Sequence, residues 1–416
     1  MIFKEGKLSK WHLLMVIGIA FIILVTRRPD VINNPQLWAE DGKAFLEPVW
    51  NNGFINSLLT SRDGYFQSLP KITMGFASIF GIANVALIST IAAILIRCLF
   101  VAFIMTSRFS YVDLRLRIAF CIYFLVQPNV QEAFINITNA HTYLAIYLLA
   151  IILAKDNNSK IWKAHDLLVL VLSGISGPFI ALLAPSLAIK RFYERGSLVN
   201  MIKKINFFDV IFAVCLLTQA GSVIFGDYAR TPAKLGATLP LFFDIVSYKI
   251  ILGTFFDLKY VSWAIEKYIF NVVMVLLFTI PATYFFFKMD WRYKAAFTYV
   301  FFTLLVSLYK PVINHQDDQW PLFLIPIVGC RYFILSGMGI FCLSLIIIKK
   351  VAVKPYFIIS IFSLALVPSM VLTYRMPKME NVGFNSDIEK FKNALPGEKI
   401  LIHTNPPGWE MELIKK

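Results

Sequence analysis

Charged residues are scarce in this chain: Asp, Glu, Lys and Arg make up 16% of its 416 residues, against roughly 25% in an ordinary soluble domain. That scarcity excludes a string of water-soluble domains. Cysteine is sparse as well. Its five residues, Cys98, Cys121, Cys215, Cys330 and Cys342, are odd in number, form no C-x-x-C pair and lie in or beside apolar stretches. They exclude a disulfide framework or a zinc site and are left with packing or lipid-facing positions. There is no G-x-x-x-x-G-K-[ST], no G-x-G-x-x-G and no G-x-S-x-G, hence no phosphate-cradling loop and no nucleophile elbow. No small-x-small cleavage site follows Val25, and Arg27 and Arg28 come instead. The first apolar run therefore reads as a signal anchor.

What the chain has is apolar length: 58% hydrophobic residues, 38 of all residues being Phe. A membrane-spanning helix needs about 20 mostly apolar residues. Candidate runs lie at 11–26, 83–106, 117–134, 140–154, 166–189, 207–225, 268–287, 295–309, 332–348 and 355–373. The expectation is an all-α polytopic membrane protein, with residues 1–373 forming the bundle and 374–416 a polar tail. The run at 166–189 is broken by Gly174, Gly177 and Pro178, residues that a helix interior disfavours. It reads as a re-entrant pair of half-helices that enter from one side and return to it.

Orientation follows from Lys and Arg, which concentrate in short cytoplasmic loops. With the N-terminus inside and 166–189 re-entrant, the inside segments are the N-terminus (Lys4, Lys7, Lys10), 107–117, 155–165, 190–206, 288–294 and 349–354. They carry twenty basic residues against five acidic ones, Glu5 among them, in a chain of net charge +15. Threading 166–189 straight through would turn the later basic loops outside and erase the asymmetry. The same distribution explains the basic character without nucleic acid, for which no basic groove with interleaved aromatics is found.

Outside, on this reading, lie a long first loop (27–82), a short second (127–141), a third (226–267), a fourth (310–331) and the tail. Chemistry is sought there, because polar residues collect on that face. The first loop opens "LWAEDGKAFLEP", with Glu40 and Asp41 adjacent ahead of an amphipathic stretch. Two readings stand: a shielded carboxylate of raised pKa that takes a proton from a sugar hydroxyl or holds a cation, or an acidic pair favoured at a helix N-terminus. A second polar knot, "TSRDGYFQSLPKI", supplies Arg62, Asp63, Tyr65 and Lys71, as a pocket wall or a solvated turn. In the second loop Glu132, Asn136, Asn139, His141 and Tyr143 crowd between apolar runs. Polar groups so near hydrocarbon need a cavity or a partner; a sugar site and interhelical hydrogen bonding both fit. The N-I-T at Asn136 lies too near the membrane to count as a glycosylation site. The fourth loop adds His315, Asp317, Asp318 and Trp320, then Arg331 and Tyr332. A guanidinium there suits a lipid phosphate or ordinary interfacial anchoring. Arg97, inside its run, is expected to snorkel toward the cytoplasm.

Together "WAEDGKAFLEP", "GYFQSLPKI", "NITNAHTYLAIYLLA", "SGPFIALLAP", "RYFIL" and the closing "NPPGWEMELIKK" resemble the GT-C type of bacterial polytopic glycosyltransferases, and among them the phage-encoded serotype-converting O-antigen glucosyltransferases. The resemblance implies a GT-C-like bundle of about nine to eleven transmembrane helices in the bacterial inner membrane, N-terminus cytoplasmic and C-terminus periplasmic. It implies a polyprenyl-phosphate-linked hexose, glucose in that group, as donor, and lipid-linked O-antigen of the lipopolysaccharide as acceptor. It also implies a functional link to a donor-lipid flippase and a donor-synthesising transferase. Under it, Asp41 or Glu40 is the catalytic base, Asn139 with Glu132 and His141 matches the polar second loop, and Arg331 holds the lipid phosphate; the residue types and positions add Asn136, Tyr65, Lys71, Asp317 and Asp318 as substrate-binding candidates and Tyr332 beside Arg331. The adjacent Glu-Asp departs from the Asp-x-Asp of metal-using members, and no cofactor or metal is assigned. A transporter or flippase for lipid-linked saccharides is the rival, and it would place ionisable groups deep in several helices or show an internal repeat. A noncatalytic membrane partner is a third reading. In the tail, a helix from Ser386, an apolar strand "KILIH" and a Pro-Pro-Gly turn are expected to dock near the site.

Overall fold

The computed structural model describes residues 9–156, 159–225 and 231–416. Lys4, Glu5 and Lys7 of the N-terminal basic stretch, and the first residues of the 226–267 segment, lie outside the described residues. The chain is mostly helical: α1 (Lys10–Arg27), α2 (Ser68–Ser78), α3 (Val85–Ile104), α4 (Leu114–Val126), α5 (Ala140–Leu153), α6 (Lys160–Gly174), α7 (Phe179–Arg195), α8 (Phe207–Phe225), α9 (Tyr268–Lys288), α10 (Trp291–Tyr309), α11 (Ile334–Val351), α12 (Pro355–Tyr374) and α13 (Phe384–Asn393). Among the described residues, six helical stretches are long and apolar enough to cross a membrane: Lys10–Arg27, Ile82–Ile104, Phe207–Phe225, Tyr268–Lys288, Cys330–Val351 and Pro355–Tyr374. This is a membrane protein. The starts are set by local chemistry: Asp113 accepts from Arg115 N ahead of α4, and Asp290 from Arg292 N and Tyr293 N ahead of α10, each satisfying an amide that the helix leaves unpaired.

The two ends of the bundle differ in polarity. At one end, basic side chains tie short connections together. Arg108 grips Asp166 with two bonds of 2.6 and 2.8 Å, Lys190 meets Asp156 at 2.7 Å and Arg191 meets Asp209 at 2.8 Å. At the other end, the C-termini of α1, α4 and α12 converge on buried Arg27, which donates to Leu125 O, Gln127 O, Tyr374 O and Thr373 O. A cation among the last carbonyls of two helices satisfies acceptors and the helix dipoles together.

Two expectations are corrected. The apolar run at 117–134 is helical only to Val126; Pro128 and Asn129, whose φ is +56°, turn the chain into an irregular 127–139 loop. Arg97 does not snorkel to the basic end. It is 3% exposed, donates to Ala133 O and lies 3.7 Å from the Tyr143 ring centroid. Arg97 stands about 18 Å along α3 from Val85 at 1.5 Å per residue, so its reach to Ala133 sets the 127–139 loop well below the Val85 end of α3. The short α4 and α5, each roughly 20 Å long, end beneath that loop. A carbonyl and a ring face stand where water was expected to meet the guanidinium.

The broken 166–189 run becomes α6 and α7, longer than that stretch and joined by a turn at 175–178 with Gly177 at φ +133°. The turn abuts the start of α2, where Ser68 N donates to Ile175 O and Leu69 N to Ser176 Oγ. In the tail, α13 begins at Phe384 after Gly383, and β1 (Lys399–Thr404) pairs antiparallel with β2 (Trp409–Ile414). The second strand was not anticipated from "KILIH" alone. Cys98, Cys121, Cys215 and Cys330 are buried free thiols and Cys342 is half-buried.

Candidate functional site

The acidic pair is held from both sides. Before it, Asn405 of the tail forms a parallel bridge with Trp38: Asn405 N donates to Leu37 O at 3.0 Å, and Ala39 N donates to Asn405 O. The Asn405 amide donates to Gln36 Oε1 and Glu380 O. After it, Asp41–Leu46 winds as a π-helix, a wide turn that recurs at functional sites. Gly42 sits beneath the tail hairpin, where a Cβ would stand 2.8 Å from Thr404 Cγ2 and 3.1 Å from Met411 Sδ. Gly42→Ala is therefore expected to loosen the hairpin by about 1–3 kcal/mol, read as faster limited proteolysis of 399–416 in membranes. Thr404→Ser, which removes the clashing methyl, should restore protection; an undisturbed tail in Gly42→Ala would refute the close packing.

Asp41 is 3% exposed, and its carboxylate docks on the second loop. Oδ1 accepts from Thr138 N at 2.8 Å and from the Thr138 hydroxyl, and Oδ2 faces Ile137 N at 3.4 Å. Burial pushes its pKa up to about 7, the Glu40 charge adding to the rise and the Thr138 and Ile137 hydrogen bonds opposing it. A carboxyl whose native pKa exceeds its unfolded one stabilises the fold most at acid pH and loses that contribution as pH rises through the native value. Thermal stability in detergent should thus fall between about pH 4 and 7 through this group, and the fall should shrink in Asp41→Asn. An identical pH profile in that variant would remove Asp41 as the cause.

Glu40 is different. It is half-buried, and its carboxylate has no hydrogen-bond partner among the described residues, yet it lies within electrostatic range of Asp41, Tyr65 and Arg331. Tyr65 reaches the group on a tight turn in which Arg62 and Tyr65 exchange backbone hydrogen bonds across Asp63 and Gly64, both at positive φ. Burial pushes its phenol above the usual range. Arg331 is engaged by Glu132: the guanidinium pairs with one carboxylate oxygen, and Arg331 N donates to the other at 3.2 Å. Its second amino group donates to Val312 O at 2.8 Å, and Tyr332 closes the same corner through its own bonds to Val312. Glu40, Asp41, Tyr65, Glu132, Arg331 and Tyr332 thus gather in one place from four segments.

The other expected residues lie around this group or apart from it. Asn136 and Asn139 stiffen the second loop: Asn136 Oδ1 accepts from Asn139 N and Nδ2, and Asn136 Nδ2 donates to Glu132 O. Asn136 is 4% exposed, with no room for a glycan. The His141 ring lies tilted against Phe179, centroids 5.4 Å apart, and its Nδ1 has no hydrogen-bond partner among the described residues. Lys71 is buried and donates to Thr60 O; burial and the Arg62 charge hold its pKa down at about 8. Asp317 and Asp318 are exposed and shape the 314–319 turn, Asp317 accepting from Asn314 Nδ2 and Asp318 packing on Gly236. Among the described residues no three His, Cys, Asp or Glu side chains gather as metal ligands would. Thr138, Gly42 and Asn405 were not anticipated: Thr138 sits in the polar loop without a charge to mark it, and nothing local to Asn405 signals a partner far upstream. No family model and no curated protein matches this chain.

Proposed function

We propose that the chain is a polyprenyl-phosphate-sugar-dependent glycosyltransferase of the bacterial inner membrane, moving a hexose, glucose by the family resemblance, to O-antigen units on the periplasmic side. In this reading α1, α3–α5 and α8–α12 cross the bilayer, and α6–α7 enter from the basic, cytoplasmic end and return, which gives nine crossings plus a re-entrant pair. The polar end and the tail face the periplasm.

The observation that carries the reading is that Glu40, a carboxylate with no hydrogen-bond partner among the described residues, lies within electrostatic range of the Arg331 guanidinium in an apolar bundle. Glu40 takes the proton of the acceptor hydroxyl as its oxygen attacks the anomeric carbon. The bond from that carbon to the lipid phosphate breaks, and the phosphate leaves with its electron pair toward Arg331, inverting the configuration. Glu132 occupies the guanidinium at rest and yields it to the arriving phosphate. Asp41 holds the second loop against the first. No divalent ion is assigned a role. A flippase would draw on free ionisable groups along its helices, whereas Arg27 and Arg97 are bound to carbonyls and ring faces.

O-antigen mass and linkage analysis of cells lacking the gene, with and without wild-type complementation, tests this. One added hexose per repeat unit is expected; a polymer unchanged by complementation removes the transferase reading in favour of a transporter or partner.

A further inference from the structure

The tail hairpin presents one apolar row toward the first loop. Leu413 and Met411 are fully buried in it, as are Ile402 and Thr404 across the ladder. Trp409 pairs with Thr404 in the same register and continues that row, because directly opposed strand residues share a face. Unlike the rest, it is 37% exposed. Thr404 touches Gly42, and cross-strand partners stand about 5 Å apart, so the indole begins within about 10 Å of Gly42, the residue that follows the acidic pair. The turn that carries it, Asn405-Pro406-Pro407-Gly408, is stiffened by two prolines, and Trp409 N donates back to Pro406 O at 3.2 Å. Asn405 fixes the base of that turn to Leu37 and Ala39.

We propose that Trp409 is an acceptor subsite: its exposed indole stacks on a pyranose of the incoming saccharide while the next hydroxyl reaches Glu40. The proposal rests on the transferase reading above. An indole offers a large apolar face at little cost in side-chain freedom, and the C–H face of a sugar ring is its natural complement. A rigid turn adds preorganisation. With the donor phosphate assigned to Arg331 and the saccharide ring to Trp409, the effect of losing the indole falls on the acceptor.

The test uses the full-length protein in vesicles of phosphatidylethanolamine and phosphatidylglycerol, with polyprenyl-phosphate glucose and O-antigen lipopolysaccharide purified from the gene-deleted strain. In Trp409→Ala the acceptor KM should rise about tenfold, with donor KM and slow transfer of hexose to water unchanged; Trp409→Phe should recover most of the loss. Unchanged acceptor kinetics in Trp409→Ala, or an equal loss in acceptor transfer and transfer to water, overturns the subsite. So does quenching by brominated lipid of the fluorescence that Trp409→Phe removes, which would place the indole in the membrane interface. A wild-type protein that transfers hexose neither to saccharide nor to water overturns the transferase reading itself, and the subsite with it.

Discussion

Glu40→Gln is expected to lower hexose transfer by about 100 to 10,000-fold, the usual worth of a positioned general base, with membrane abundance and thermal stability close to wild type. The abundance expectation follows from the structure: the Glu40 carboxylate has no hydrogen bond to lose among the described residues. Asp41→Asn should behave in the opposite sense. The amide keeps an oxygen for Thr138 but turns a donor toward Ile137 N, so loop docking weakens and stability changes along with activity. Incorporation of labelled hexose, normalised to protein in the membrane, separates the two. If Glu40→Gln transfers at the wild-type rate, the base lies elsewhere; if Asp41→Asn alone is silent at full abundance, the roles assigned to the two acids are reversed.

The Glu132–Arg331 pair carries the second large expectation. Arg331→Gln leaves a carboxylate without its cation, at side-chain exposures of 30% for Arg331 and 16% for Glu132. Abandoning a partly buried charged partner costs about 1–3 kcal/mol, so this variant should be both inactive and less abundant. Glu132→Gln with Arg331→Gln removes the stranded charge and should regain abundance while remaining inactive, because no guanidinium is left for the phosphate. Glu132→Gln alone keeps a guanidinium free of its carboxylate and should lower the donor KM. A double variant that transfers hexose normally would show that Arg331 serves only to pin the 131–133 turn.

The membrane character and the polar segments that build the site were legible in sequence, because hydrophobic runs and crowded polar loops between them have only a few physical explanations. Glu40, Asp41, Tyr65, Glu132, Arg331 and Tyr332 were all singled out, and they meet. What sequence did not disclose is what each does to the others. Two adjacent acids look alike in a string of letters, whereas Asp41 is tied to Thr138 and Glu40 has no such partner. Arg97 was misjudged because its depth depends on how short α4 and α5 are, and the apolar run through 134 hid the end of α4. Asp317 and Asp318 share the composition of a site, but their side chains are exposed and shape the 314–319 turn. Neither the depth of a loop nor the far end of a hydrogen bond is a local property.

The bonds from Asn405 to the first loop set a clock on the molecule. Asn405 and its partner Gln36 are 369 residues apart in the chain, and at about 5–20 residues per second translation takes roughly 20 to 70 s to cover that distance. Throughout that interval the acidic pair has left the ribosome without the strand that braces it. A half-made chain, already threaded into the bilayer, therefore carries its acidic pair unbraced until Asn405 has been made.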